Sequence, residues 1–275
     1  MIEKFTVTFR GVRGSIACPG PKTARYGGNT PCVEVRCGDR LIIFDGGTGI
    51  RELGDELLAA GQPLDADIYL SHAHIDHIGG LPFFAPFYES GHRFRIWSGN
   101  LAPMSSTREA IDRLMSEPIF PIRPDVFTAS IDYRDFRAGD TLKPAPGITM
   151  HTVPLDHPGG ATGYRLEFAG RSLAYLTDNE AHKDADPALI ALARNADLAI
   201  YDCTYTDEEI VSKTGWGHSA WRDGLRLADA AGVKTFCLFH HAPEHDDACM
   251  DRIVAEARKI RPGTIAAVEG EVIEL

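Results

Sequence analysis

Three histidines and one aspartate fall between positions 72 and 77, in the run Ser71-His72-Ala73-His74-Ile75-Asp76-His77-Ile78-Gly79-Gly80. The apolar stretch Asp67-Ile68-Tyr69-Leu70 comes just before it. Strand side chains repeat every second residue, so a strand running into a loop presents His72 and His74 to the same side. Asp76 and His77 then open the next turn and face the same pocket from below. Imidazole nitrogen and carboxylate oxygen are donors that suit zinc, manganese or iron. The spacing supplies two ligands for one metal ion and two for a second.

Such side chains need rigid supports, and the chain offers strand ends. Asp45 closes Leu41-Ile42-Ile43-Phe44, and Asp178 follows Ser172-Leu173-Ala174-Tyr175-Leu176-Thr177. Asp202 closes Leu198-Ala199-Ile200-Tyr201, and His240 follows Thr235-Phe236-Cys237-Leu238-Phe239. His241 is a neighbouring candidate, but strand alternation sends it to the opposite side from His240. Strand-like runs are expected at 5–10, 32–37, 41–45, 67–71, 94–98, 130–134, 148–153, 162–168, 172–177, 197–202, 233–239 and 264–275. Helical patterns fall near 51–60, 106–116, 187–194, 219–231 and 247–261, with Ser219 and Asp246 as N-terminal caps. The first half is mostly strands and long loops, and the second alternates strand and helix. An α/β sandwich of two sheets flanked by helices accommodates both halves. The apolar residues Phe83, Phe84, Phe87 and 118–122 read as core packing, with a pocket wall as the alternative.

The chain has 275 residues, 44% of them hydrophobic, enough to bury a large core. No Pro/Ser-rich linker, low-complexity segment or solenoid repeat divides it, so residues 1–275 read as a single domain. The opening residues alternate like a strand and lack the apolar core of a signal peptide. No stretch approaches the roughly 20 apolar residues of a membrane span, which makes the cytoplasm the expected location. Six dispersed cysteines form no CxxC pair and read as reduced, packed thiols. The net charge of −11 argues against a broad nucleic-acid footprint, which needs a basic face.

The motif His72-x-His74-x-Asp76-His77 after a strand and before Gly-Gly resembles the metallo-β-lactamase fold superfamily. His157 in Asp156-His157-Pro158-Gly159-Gly160, Asp178 in Leu176-Thr177-Asp178 and His240 in Leu238-Phe239-His240-His241 fall in that family's order. The resemblance covers nearly the whole chain and is weakest from about 82 to 135. It implies an αββα sandwich of two mixed β-sheets flanked by helices. It also implies a dinuclear ligand set: His72, His74 and His157 on one ion, Asp76, His77 and His240 on the other, and Asp178 bridging. Zinc is the expected metal, with manganese or iron as alternatives.

The segments Gly11-Val12-Arg13-Gly14-Ser15, Arg25-Tyr26-Gly27-Gly28-Asn29-Thr30, Phe44-Asp45-Gly46-Gly47-Thr48-Gly49, Tyr201-Asp202-Cys203-Thr204-Tyr205 and Gly217-His218-Ser219 narrow the resemblance to the phosphodiesterase branch. That branch contains ribonuclease Z, phosphoribosyl cyclic phosphodiesterase and cyclic-nucleotide phosphodiesterases. Asp202 and His218 match an acid–histidine pair that protonates the leaving group in ribonuclease Z. Asp stands here in place of its Glu, and Ser219-Ala220 in place of its Ser-Thr. The basic tRNA-binding arm that bacterial ribonuclease Z carries between the corresponding positions has no room between His157 and Asp178. Nucleic acid is therefore not the expected partner.

Two divalent ions bring four positive charges. Asp76, Asp178 and a bridging hydroxide return three, leaving about one net positive charge for an anionic diester. Asp76 thus belongs to both the metal set and the catalytic set. Asp45 is expected to orient a ligand histidine through its other ring nitrogen, and Arg13 to contact a phosphate oxygen, with a surface arginine on a turn as the alternative. The expected activity is hydrolysis of a small or cyclic phosphodiester. A carboxylic ester, thioester or lactone hydrolase and a weakly catalytic metal sensor are the alternatives. The expected partners are a small anionic substrate, no membrane, and a second copy of the chain as a homodimer.

Overall fold

The computed structural model describes residues 4–182 and 186–275. The first sheet contains β1 (Phe5–Gly11), β2 (Cys32–Cys37), β3 (Arg40–Phe44), β4 (Asp65–Leu70), β5 (Arg93–Ser98) and β6 (Ser130–Asp135). The second contains β7 (Thr141–Ala145), β8 (Ile148–Leu155), β9 (Ala161–Phe168), β10 (Arg171–Leu176), β11 (Leu198–Asp202), β12 (Thr235–Phe239) and β13 (Ile265–Ala266). The last strand, β14 (Val272–Glu274), returns to the first sheet and pairs antiparallel with β1. Among the described residues each sheet has seven strands, in the orders β14-β1-β2-β3-β4-β5-β6 and β13-β12-β11-β10-β9-β8-β7. Both are mixed: β3 to β6 pair in parallel, as do β10 to β13.

The described residues form seven α-helices. They are α1 (Ile50–Ala59), α2 (Ile75–Ile78), α3 (Thr107–Leu114), α4 (Pro187–Ala193), α5 (Asp207–Ile210), α6 (Trp221–Ala231) and α7 (Asp247–Ile260). All but α2 and α5 cover the two outer faces. Three apolar clusters define the layers. Phe5, Val7, Phe9 and Phe44 from the first sheet meet Tyr164, Tyr175, Ile200 and Phe239 from the second. Leu53 and Leu57 of α1 and Ile111 of α3 pack on Ile43, Ile68 and Ile96 outside the first sheet. Leu189, Leu225 and Val254 of α4, α6 and α7 pack on Ala174, Ala199 and Leu238 outside the second. Every strand of a central parallel pair is thus covered on both sides, which explains the unbroken burial of Ala66–Leu70 and Leu198–Asp202. The αββα order expected from the sequence is the observed one.

Three local expectations change. Residues 264–275 are not one strand: β13 and β14 lie in different sheets, separated by a turn at Gly270 with φ +82°. Ser219 does not cap α6. The N-cap position is Ala220, whose N–H donates to Asp223 at 3.0 Å, while the Ser219 hydroxyl donates to the Asn179 carbonyl. Asp246 does cap α7, accepting from the Cys249 N–H at 2.8 Å. Of the apolar residues read as core, Phe84 and Phe87 are buried, but Phe83 is 57% and Ile119 82% exposed. The six cysteines are all free thiols, and four of them are buried.

Candidate metal centre

The parallel strands of both sheets point their C-terminal ends at one edge, where the chain turns sharply. Asp45 follows β3, His72 follows β4, Asp178 follows β10 and His240 follows β12. Asp45, Asp178 and His240 take left-handed backbone angles, φ +60°, +58° and +62°. Such a residue costs about 1–3 kcal/mol unless its surroundings enforce it. The turn swings each side chain off the strand axis and into the space between the sheets. Ser15, with φ +64°, does the same for a backbone donor: its N–H reaches Asp76 Oδ2 at 2.8 Å. His72 and His74 lie beyond β4 in a loop rather than on the strand, with His74 the N-cap of α2. Asp76 and His77 occupy α2 itself.

Ligand atoms converge in overlapping groups, each within 4.8 Å: His72, His74 and His157; His72, His77 and Asp178; Asp76, His77 and His240. Asp178 faces both ways. Its Oδ1 lies 3.8 Å from His72 Nε2 and 3.7 Å from His157 Nε2. Its Oδ2 lies 3.1 Å from His77 Nε2 and 3.4 Å from His240 Nε2. Asp76 Oδ2 lies 3.4 Å from each of His77 Nε2 and His240 Nε2.

Four of the rings are turned by a hydrogen bond on the far nitrogen, while His74 Nδ1 stands 3.0 Å from His157 Nε2. His77 Nδ1–H donates to Asp45 Oδ2 at 2.8 Å, and His157 Nδ1–H to the Gly217 carbonyl at 2.8 Å. His72 Nδ1 stands 3.1 Å from Ser71 Oγ, and His240 Nδ1 stands 2.9 Å from Thr204 Oγ1. With Nδ1 as donor, each Nε2 keeps its lone pair. The Nε2 atoms of His72, His77 and His240 are buried and meet no hydrogen-bond partner. Polar atoms are rarely left so in a native interior, and three converging on two carboxylates describe a cation cage. The residues present fit divalent ions.

The electrostatics agree. Burial, reinforced by His77, holds the His72 imidazole well below its ordinary pKa and therefore neutral. Burial also lowers His157 and His74. Burial opposes ionisation of Asp178, but the imidazoles of His240 and His77 keep its carboxyl well below the usual range. Around His77 burial is outweighed by Asp178, Asp76 and Asp45, which raise it strongly. These carboxylates call for positive charge, which a bound ion supplies in place of a proton.

Asp202 and His218 meet at the rim. His218 Nδ1 lies 2.8 Å from Asp202 Oδ2 and 3.9 Å from Asp178 Oδ1, and its ring stacks on His240 at 4.9 Å. Burial pushes the His218 pKa down, but Asp202, with Asp178 and Asp76, lifts it to about 9. Thr204 ties this pair to the cluster: its hydroxyl donates to Asp202 Oδ1 at 2.7 Å and accepts from His240 Nδ1–H.

Arg13 departs from expectation. It is fully buried, and its guanidinium donates to the carbonyls of Gly27, Ala242 and His245 at 2.7–3.3 Å. It ties the Gly-rich entry loop to the segment after His241, and its donors face backbone rather than a phosphate. His241 also turns away from the cluster, its Nε2 donating to the Ala267 carbonyl at 2.9 Å. Sequence reasoning missed Ser71, Thr204, Asn179 and Glu180. Each is a polar residue within two positions of a strand-end candidate, and that adjacency is the signal that marks them. Asn179 N–H reaches Asp202 Oδ2 at 3.2 Å, and its side chain accepts from the Asp156 N–H. The Glu180 carboxylate takes the N–H groups of Gly215 and Gly217, each at 2.8 Å.

Comparison with known proteins places this arrangement. Residues 40–241 match the family described as the Beta-lactamase superfamily domain. Ribonuclease Z of Gemmatimonas aurantiaca is 36% identical over 285 residues, covering 85% of this chain and 86% of that protein. A local match to ribonuclease Z of Brevibacillus brevis, 34% identical over 99 residues, spans 34% of this chain but only 30% of that protein. Among solved structures, the metallo-beta-lactamase fold protein YhfI from Bacillus subtilis superposes with a TM-score of 0.71 at 21% identity, covering 98% and 99% of the two chains. The chain belongs to the beta-lactamase superfamily, in the phosphodiesterase branch that holds the ribonuclease Z proteins.

Proposed function

We propose that this metal-dependent hydrolase is a dinuclear phosphodiesterase acting on a small or cyclic phosphodiester. The observation that carries this reading is the Asp202–His218 pair, 2.8 Å apart on the rim of the ligand cluster. A diester releases a poor alkoxide, which needs a proton as it leaves. Asp202 holds His218 by Nδ1, so Nε2–H is the proton that can be given to the departing oxygen. The Asp202 carboxylate raises the His218 pKa and so favours keeping that proton on the ring. Divalent ions bound in the cage would lower the pKa of a coordinated water and offset charge on the phosphoryl oxygens. His72, His74 and His157 would hold one ion and Asp76, His77 and His240 the other. Asp178, with one oxygen toward each group, supports the bridging role. Asp45 keeps His77 in the ligating tautomer.

The ribonuclease Z relatives carry the name of an RNA-cleaving activity, which stands against the expectation that nucleic acid is no partner. The small-substrate reading is supported by the net charge of −11 and by the stretch between His157 and Asp178, which holds only β9, β10 and their turns. The homodimer expected beside it is read by sedimentation equilibrium of the loaded protein.

The test begins with bis(p-nitrophenyl) phosphate and protein loaded with zinc, manganese or iron, beside an Asp76→Ala control. Turnover lost in the control is expected; no turnover with any of the three metals sinks the reading. His218→Ala should then cost roughly 10²–10⁴-fold on a diester with an alkyl leaving group, and far less on the p-nitrophenyl diester, whose leaving group needs no acid.

A further inference from the structure

Residues 211–217 lead directly into His218 and carry side chains the hydrolytic site does not use. Trp216 is 55% exposed, although its segment is firmly held. The Glu180 carboxylate pins the N–H groups of Gly215 and Gly217, the Trp216 N–H donates to the Lys213 carbonyl at 3.0 Å, and the Gly217 carbonyl is fixed by His157. The indole is therefore not exposed because its loop is loose. Lys213 sets its ammonium 4.0 Å from the Trp216 ring centroid and 5.9 Å from that of Tyr205. The Tyr205 ring in turn stands 5.9 Å from the His218 imidazole. Indole, ammonium and phenol form a continuous row ending at the Asp202–His218 pair.

A fixed, exposed indole is a stacking surface for a flat aromatic group, and every nucleobase offers one. The lysine ammonium over one of its faces is a point charge suited to phosphate. We propose that Trp216 and Lys213 form a recognition platform for a nucleobase-bearing phosphodiester. The base stacks on the indole face opposite Lys213, and Lys213 pairs with a phosphate oxygen. This rests on the phosphodiesterase reading above and names the substrate class of that site. The base belongs either to a small nucleotide or to the end of a nucleic-acid strand.

The test compares two diesters that release the same p-nitrophenolate: thymidine 5′-(p-nitrophenyl) phosphate and methyl p-nitrophenyl phosphate. The metal-loaded protein is expected to favour the thymidine diester in kcat/KM. Trp216→Ala should shrink that preference by roughly 5- to 150-fold, mainly through KM, equivalent to about 1–3 kcal/mol of stacking. Trp216→Tyr should restore most of it. No preference in the unmodified protein, or a preference unchanged in Trp216→Ala, overturns the proposal. If neither diester is hydrolysed, the phosphodiesterase reading fails and binding decides the platform. Thymidine monophosphate and a single-stranded oligothymidylate are titrated against intrinsic tryptophan fluorescence. Saturable quenching that disappears in Trp216→Phe supports the platform, and its absence in the unmodified protein removes it. Tighter binding of the oligomer assigns the base to a strand end, and equal binding to a small nucleotide.

Discussion

At Asp45 one carboxylate answers several donors. Oδ2 accepts from His77 Nδ1–H at 2.8 Å and from the Tyr175 hydroxyl at 2.7 Å, and Oδ1 accepts from the Ser71 N–H at 2.7 Å. Asn tolerates the left-handed backbone at this position, so Asp45→Asn should fold while removing the negative charge behind His77. Metal affinity is expected to fall about 10- to 100-fold, read by competition with a chromogenic chelator. His241 gives a second prediction. Burial depresses its pKa to about 3, so the folded state excludes a proton that the unfolded chain takes up near 6.5. That contribution is complete above about pH 6.5 and is lost as pH falls toward 3. His241→Gln keeps a donor for the Ala267 carbonyl and cannot titrate. Its Tm should drop less than that of the unmodified protein between pH 7.5 and pH 5. At this scale the sequence singled out side chains that the fold brings together, as with His72, His74, Asp76 and His77. Arg13 was misread because its partners are the carbonyls of Gly27, Ala242 and His245. Carbonyls have no residue signature, and these come from distant parts of the chain.

Short elements around the site work as brackets whose fit is decided by a single atom. Gly217 has φ +81°, and a Cβ there would stand 2.2 Å from His157 Nδ1 and 2.3 Å from Pro158 Cδ. Gly147 has φ +77° with nothing within 4 Å of its Cβ position. Both alanine variants incur the backbone penalty of a left-handed non-glycine residue, about 1 kcal/mol. Only Gly217→Ala should also push His157 out of line. Metal analysis after dialysis is expected to show reduced occupancy for Gly217→Ala and unchanged occupancy for Gly147→Ala. The longer elements stood out in the sequence because apolar periodicity and caps mark them, as for Asp247–Ile260. The missed strand β7, Thr141–Ala145, contains Lys143 and Pro144 and lies at a sheet edge, half-exposed, so no alternation betrays it. The helix Asp207–Ile210 has four residues, too few to show a period.

Across the whole molecule, the ligand groups draw on both sheets. His72, His74, Asp76 and His77 follow a strand of the first, and His157, Asp178 and His240 follow strands of the second. Ions held between them would add to the apolar layer that already joins Phe44 to Tyr175 and Phe9 to Phe239. A ligand present at a thousand times its Kd stabilises by about 4 kcal/mol. Chelation should therefore lower Tm by roughly 10 °C, and restoring the metal should recover it. An unchanged Tm with metal loss verified would mean that the cage is held by protein contacts alone. No helix among the described residues is long and apolar enough to cross a membrane.

The mixing of early and late residues in every ligand group also sets an order of events during synthesis. His72 and His74 emerge from the ribosome well before His157, and Asp76 and His77 well before His240. A growing chain that has made only the first motif is an incomplete chelator with no carboxylate at position 178 to hold an ion between its histidines. The complete ligand set for either ion would therefore exist only once the second sheet has closed against the first. The choice among zinc, manganese and iron then falls to a finished cage of fixed shape rather than to a floppy peptide that would take whichever ion binds imidazole most avidly.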